Sequence, residues 1–316
     1  MTARPDVLVV GAGVSGLTTG VCLAEQGLKV KIRTACGPGR TTSAAAGAIW
    51  DPINAEHPRM PAWSSHTFKI LEGLDGRAGV RIAEGMEASR DETMPPDWIW
   101  QLTGFRECKP PELPEGFTAG WRYTAPIVDM SLYLPYLLDR FRQARGQLDY
   151  GRLRSLDEGF ATASIVVNCA GVAARELVPD AGVIPRRGHL VLVRNPGLTD
   201  FFVEESRDVA EMTYVLPQGA VLVLGGSAIT GRADPRTDRR VAVGIRERCI
   251  QIFPELAKMP VLGRRIGIRP TRHEVRLDVE RRGARHIVHN YGHAGAGVSL
   301  SWGCAAEVTD RVKDLI

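Results

Sequence analysis

The sequence predicts an α/β fold. A parallel-sheet domain is assembled from both ends and the middle of the chain, with a mainly antiparallel β domain inserted between its pieces. Three observations lead there. Near the start, the apolar run Val7-Leu8-Val9-Val10 breaks into Gly11-Ala12-Gly13-Val14-Ser15-Gly16, then resumes with apolar residues at helical spacing. Near the end, Ile287-Val288-His289-Asn290 reads as a strand and gives way to four glycines within twelve residues, from Gly292 to Gly303. In between, residues 211–216 and 220–224 flank Pro217-Gln218-Gly219 in the pattern of an antiparallel hairpin.

Residues 6–10 read as a buried strand, and 14–26 as a helix whose apolar face holds Val14, Leu17, Val21, Cys22 and Leu23. After Gly27, residues 28–32 read as a second strand. This βαβ beginning puts the first glycine loop where the phosphates of a dinucleotide are held. Residues 90–130 are punctuated by Pro95-Pro96, Pro110-Pro111, Pro114 and Gly116, so they read as irregular and outside the nucleotide domain. Residues 131–143 read as a helix, 165–171 as a buried strand ending in glycine, and 187–194 as an alternating strand around His189. The expected partition is 1–50, 130–185 and 264–316 for the nucleotide domain, with 51–129 and 186–263 for the inserted domain. No internal repeat or low-complexity tract appears.

At 316 residues the chain can bury a large core, and 44% hydrophobic with 24% charged residues is ordinary for a soluble protein. The net charge of +4 is too small and dispersed to indicate nucleic acid, and pairs such as Arg239-Arg240 and Arg281-Arg282 lack interleaved aromatics. Six scattered cysteines show no metal-ligand spacing and no disulfide framework, which suits a reducing compartment. No apolar run approaches the roughly 18 residues of a membrane span. The first apolar stretch reads as a strand and not a secretory leader, and the final residues carry no peroxisomal address. A cytoplasmic location is expected, without a metal and without a membrane.

The GxGxxG at 11–16 stands between strand and helix, as a dinucleotide site requires. Gly11 allows the tight turn, Gly13 lets a pyrophosphate approach, and Gly16 lets the helix pack closely on the strand. One element is missing. Lys31-Ile32-Arg33-Thr34-Ala35-Cys36 offers no carboxylate for the adenosine ribose, so that contact comes from elsewhere, with backbone and Arg40 as candidates. The second glycine loop would let backbone amides approach the same ligand at the positive end of a helix that resumes at Val298.

The segment His289-Asn290-Tyr291-Gly292-His293-Ala294-Gly295-Ala296-Gly297-Val298-Ser299-Leu300-Ser301-Trp302-Gly303-Cys304 resembles the signature of the D-amino-acid oxidase family. Four further segments agree in order. They are 9–17, Ala45-Ala46-Gly47-Ala48-Ile49-Trp50, then Asn168-Cys169-Ala170-Gly171-Val172 followed by Pro185-Arg186-Arg187-Gly188-His189, and finally Gly267-Ile268-Arg269-Pro270-Thr271-Arg272 leading to Val275-Arg276-Leu277. The resemblance covers nearly the whole chain. It implies a Rossmann-like FAD-binding domain with an inserted mainly antiparallel β substrate domain, non-covalent FAD, and oxidative deamination of D-amino acids by hydride transfer from Cα to flavin N5. Dioxygen then yields hydrogen peroxide, and the imino acid hydrolyses to a 2-oxo acid and ammonia.

By position, the resemblance makes Arg269 the arginine that grips the substrate carboxylate, a task suited to a planar guanidinium. Tyr214 supports the same carboxylate, and the Gly295 carbonyl receives the substrate amine. On residue type alone, Arg269 would be an ion-pair arginine and Tyr214 an aromatic packed in a strand. Gly297, Val298 and Ser299 align with the segment facing the flavin pyrimidine oxygens. Gly11, Gly13, Val14, Ser15 and Gly16 hold the pyrophosphate end. Thr41, Thr42 and Ser43, with Gly47 and Ala48, align with a flavin-contacting loop, and Val172 with a backbone contact on the adenine side. His289 and His293 read as structural, Cys169 and Cys304 as core.

There are departures from the family pattern. Where some members carry a mobile tyrosine lid, this chain has Ala210, so an open site without that lid is expected. Acidic D-amino acids, as in D-aspartate oxidase, would need another cation, with Arg207 or Arg232 as candidates; neutral D-amino acids are therefore favoured. Glycine or sarcosine oxidase and a nicotinamide dehydrogenase are more distant alternatives. A homodimer is the expected assembly.

Overall fold

The structure, a computed structural model, describes residues 4–53, 55–205 and 211–316. Two sheets organise it. The first has six strands in the order Val279–Arg282, Arg285–His289, Ile165–Asn168, Val7–Val10, Val30–Thr34, Gln147–Tyr150. The last five run parallel, and Val279–Arg282 pairs antiparallel at one edge. The two central strands, VLVV and IVVN, are buried at every position, as a parallel strand covered on both faces requires. Each fully buried Val or Leu there contributes roughly 1.5–3 kcal/mol relative to exposure.

Helix Val14–Glu25 packs on this sheet through Leu17, Val21 and Leu23, all fully buried. Helix Ser301–Lys313 lies beside it, and the Thr18 hydroxyl donates to the Ser301 carbonyl at 3.3 Å. The two helices are the ones that follow the glycine loops. Helix Met130–Gln143 starts where expected, capped by Asp129, whose carboxylate accepts from the Ser131 amide at 2.9 Å.

The second sheet is mixed and has ten strands; its backbone is the antiparallel series Val261–Arg276, Ile184–Arg194, Val221–Ser227, Glu211–Gln218. The expected hairpin is present, with Gln218 opposite Val221. Phe201–Glu205 continues the sheet and pairs parallel with Val80–Ser89, which in turn pairs with Ala119–Val128. Val261–Arg276 has a dual position. It pairs with Ile184–Arg194 along its length and, near Thr271 and Arg276, with Tyr291–His293 of the terminal loop. It therefore carries Arg269 from the antiparallel sheet to the second glycine loop, and it runs unbroken through the boundary expected at 264.

Three expectations need correction. The second strand is Val30–Thr34 and not 28–32, because the chain at Lys29 is still leaving the helix and exchanges bonds with Asp6. The stretch 90–130 is not irregular throughout: Ala119–Val128 is a ten-residue strand despite Pro126, whose carbonyl accepts from the Trp50 amide at 2.7 Å. The last helix begins at Ser301 and not at Val298, since the Ser301 amide bonds back only three residues, to the Val298 carbonyl, and continuous four-residue bonding starts with Cys304 on Leu300. Among the described residues no helix is long and apolar enough to cross a membrane.

Candidate active site

Between the two sheets lies a cavity of about 1040 Å³, lined by both glycine loops, the Arg33–Ser43 region, the chain around Gly47 and the ends of the inserted strands. Its walls follow from local backbone demands. Gly11 adopts φ of +107°, and a Cβ there would lie 2.4 Å from the Cys169 carbonyl oxygen; a Cβ on Gly16 would lie 1.9 Å from the Gly11 oxygen. Both glycines are needed for the strand–turn–helix to close. Gly13 is the helix N-cap and carries no capping side chain, and the first turn holds no acidic residue. The Val14 amide donates to Ser43 Oγ at 2.9 Å, while Gly13 and Ser15 line the cavity.

The terminal loop reaches the same cavity through His293, Ala294, Gly295, Gly297 and Val298. The helix after it also lacks a side-chain cap and a first-turn acid. The uncompensated N-terminus of Val14–Glu25 faces the cavity and suits a ligand with negative charge, whereas the last helix starts behind the wall, where its Gly303 amide donates to Thr67 Oγ1 at 3.1 Å. Gly295 is exposed to the cavity, as a backbone contact requires. Ser299 is placed differently: it is buried, its Oγ accepting from the Asp51 amide at 3.0 Å and donating to the Asp51 carbonyl at 2.9 Å. Its hydroxyl fastens the 51 segment to the terminal loop.

At the end nearest the antiparallel sheet stand Arg269 and Tyr214. Arg269 Nη1 donates to the Ser227 carbonyl at 2.7 Å, and a Cβ on Gly188 would come within 2.5 Å of the same nitrogen, so Gly188 makes room for the guanidinium. Among the described residues no carboxylate pairs with Arg269. Tyr214 packs against Gly225, where a Cβ would lie 1.9 Å from the ring, and against Gly47 on another side. Burial raises its hydroxyl pKa and the neighbouring Arg269 partly offsets the rise, so the phenol stays protonated and can donate. Thr42 supports this end from below: its hydroxyl donates to the Ile268 carbonyl at 3.0 Å, next to Arg269. Thr41 bonds the Pro38 carbonyl, Gly47 accepts from Gln218, and Ala48 holds φ of +56° with its carbonyl on the Val128 amide. Val172 lines the far wall.

The residues present fit a flavin dinucleotide. Besides the two amide-rich loops, the buried Asn290 Oδ1 and His293 Nε2 lack hydrogen-bond partners and belong to residues lining the cavity. Burial drops the His293 pKa to about 4, leaving it neutral. His289 is fixed in the structure, with Nε2 3.1 Å from Glu280 and Nδ1 3.3 Å from Asn168. Cys169 and Cys304 are buried thiols with raised pKa values, as expected of core. Arg33 lines the cavity but is paired at 2.6 Å with Asp149 of the Gln147–Tyr150 strand.

Sequence reasoning passed over Asp51. The alternation Ile49, Asp51, Ile53 on the cavity side, with Trp50 and Pro52 buried between them, is a signal that could have found it. Arg232, a candidate cation for acidic substrates, is bonded to Asp234 and is not in the cavity wall; Arg207 and the lid position Ala210 lie outside the described residues.

A dinucleotide fold whose cavity joins phosphate-type loops to a tyrosine and to an arginine without a carboxylate partner among the described residues suits a flavin-linked oxidoreductase. The chain belongs to the family described as "DAO: FAD dependent oxidoreductase", which it matches over residues 6–311. It is 45% identical over 305 residues to a D-amino-acid oxidase of Rubrobacter xylanophilus, covering 95% of this chain and 93% of that protein. It is 42% identical over 313 residues to one of Streptomyces coelicolor, covering 96% and 95%. Among solved structures, glycine oxidase from Geobacillus kaustophilus has the same fold, with a TM-score of 0.80 at 21% identity over 99% of this chain and 95% of that one. The family assignment sets aside the nicotinamide dehydrogenase alternative.

Proposed function

We propose that the chain oxidises D-amino acids to 2-oxo acids, releasing ammonia and hydrogen peroxide, with dioxygen as electron acceptor. The observation that carries this reading is Arg269, a cavity guanidinium with no carboxylate partner among the described residues, standing beside a protonated Tyr214. The likeness to two proteins named D-amino-acid oxidase supports it.

In this reading Arg269 and the Tyr214 hydroxyl bind the substrate α-carboxylate. The Ser227 carbonyl fixes the guanidinium plane, so little orientation is left to be lost on binding. The Gly295 carbonyl accepts a hydrogen bond from the neutral α-amine. Two anchored groups leave the chain to direct Cα–H toward the flavin and the side chain toward Ile49, Ile53, Val203 and Met212. FAD, when bound, supplies the oxidising chemistry by taking the Cα hydrogen with two electrons. The amine gives up a proton, and the resulting imine is hydrolysed by water; the electrons pass to dioxygen. A cytoplasmic location, supported by six unpaired cysteines, and a homodimer, drawn from the family likeness, complete the proposal.

Peroxide release from D-alanine by the FAD-loaded protein is the direct test, and silence with every D-amino acid would sink the reading. Arg269→Ala should raise the KM for D-alanine about 100-fold, the loss of a charge-assisted bidentate contact, with FAD affinity held within about threefold. Equal loss of both would remove the role given to Arg269.

A further inference from the structure

The substrate end of the cavity carries two buried carboxyl groups that deamination does not use. Asp51 lines it between Ile49 and Ile53, and its backbone is pinned at both N–H and C=O by Ser299, which fixes where its carboxylate stands. Asp51 Oδ1 is buried without a hydrogen-bond partner. Behind it, Glu87 is 2% exposed, accepts from the Tyr123 hydroxyl at 2.8 Å, and pairs in register with Val203, itself part of the cavity wall.

The two acids strain each other electrostatically. Burial, then the charge of Glu87, raises the Asp51 pKa well above the ordinary carboxylate range, with Glu205 adding to the effect. Burial raises Glu87 to about 7. Among the described residues, no hydrogen bond or ion pair joins a basic side chain to either Asp51 or Glu87. Burial holds Asp51 toward its protonated form while the site is empty, and a ligand cation beside it favours the carboxylate, so that Asp51 gives up its proton and pairs with the cation. An apolar side chain would leave Oδ1 unsatisfied, and an acidic one would add a further negative charge.

We propose that Asp51, backed by Glu87, forms a side-chain subsite for cations, so that D-amino acids ending in an ammonium or guanidinium group are preferred to neutral ones of equal length. This rests on reading the cavity as a D-amino-acid site. It extends that reading from small neutral substrates to D-lysine, D-ornithine and D-arginine, and it disfavours acidic ones.

The test compares peroxide release from D-lysine, D-norleucine, D-glutamate and D-alanine by FAD-loaded wild type, Asp51→Asn and Glu87→Gln. D-Norleucine has the D-lysine chain without the ammonium, so the kcat/KM ratio of the two within one variant cancels any general loss. Wild type should favour D-lysine by about tenfold, and Asp51→Asn should bring the ratio to about one, as expected when one partner of a half-buried charge pair is removed. Glu87→Gln keeps an acceptor for Tyr123 and should lower the ratio by less. D-Glutamate should be the poorest wild-type substrate and should gain on D-norleucine in Asp51→Asn. A wild-type ratio at or below one, or a ratio that Asp51→Asn leaves unchanged, overturns the subsite while D-alanine oxidation stands. No peroxide from any of the four would instead remove the parent reading.

Discussion

A Cβ on Gly11 or Gly16 would lie 2.4 Å or 1.9 Å from a backbone carbonyl oxygen, whereas on Gly295 or Gly297 it meets nothing closer than 3.9 Å. Both pairs sit in glycine-rich turns between a strand and a helix, and both turns wall the same cavity. In the first loop the protein itself occupies the space of a side chain, so glycine there is a condition of folding. In the second, Gly292, with φ of +87°, and Gly303, where a Cβ would lie 2.3 Å from the Trp63 backbone, serve the fold, but at Gly295 and Gly297 the fold has room to spare and φ is not positive. What glycine leaves open there faces the cavity, which makes it a condition of binding.

Gly16→Ala tests the folding side and should have the largest effect. The new methyl collides with the carbonyl of Gly11 and no flexible side chain can yield, so the helix must move off the Val7–Val10 strand. Overpacking against rigid backbone costs about 3 kcal/mol, which for a chain of this size lowers Tm by roughly 4–5 °C. A melting curve superimposable on wild type would show that the close approach is not structural.

His293 sharpens the contrast, because it places a stability term inside the second loop. Its folded pKa, about 4, lies below the usual 6.5, through burial alone. The folded state therefore resists protonation. The associated stability is complete above the unfolded pKa, declines as pH falls from 6.5 toward 4, and is gone below the folded value. Across that window wild type should lose about 3 kcal/mol relative to His293→Phe, which cannot take up the proton. Urea unfolding of both proteins at pH 7 and pH 4 measures the gap; a constant difference would mean that His293 is hydrated in the folded state.

Local signals made the first loop and most of the parallel sheet legible, since strand, turn and helix there are neighbours in sequence. The resemblance singled out Arg269, Tyr214 and Gly295, and the fold does bring them to one cavity. What escaped depends on distant pairing. Ala119–Val128 was hidden by its proline, whose carbonyl is satisfied by Trp50. Glu87 becomes a cavity neighbour only because its strand pairs in parallel with the one holding Val203, and Asp149 reaches Arg33 only from the next strand over. The start of the last helix was misjudged for another reason. Val298, Trp302 and Ala305 are apolar at helical spacing, yet the Ser301 amide bonds back three residues to Val298, and regular helical bonding sets in only from Ser301.

Gly295→Ala has the smallest expected effect on the fold and separates the two loops most cleanly. The nearest atoms to its new methyl are Arg269 Cδ and Nε, both at 3.9 Å, an ordinary contact. Stability should stay within about 0.5 kcal/mol of wild type, the range of substitutions that disturb no packing. The methyl does project into the space beside the carbonyl assigned to the substrate amine. The KM for D-alanine should therefore rise about tenfold, while FAD affinity changes by less than about threefold, because a misplaced amine weakens substrate orientation and not cofactor binding. If Tm falls as far as in Gly16→Ala, Gly295 too serves folding and the contrast between the two pairs is lost.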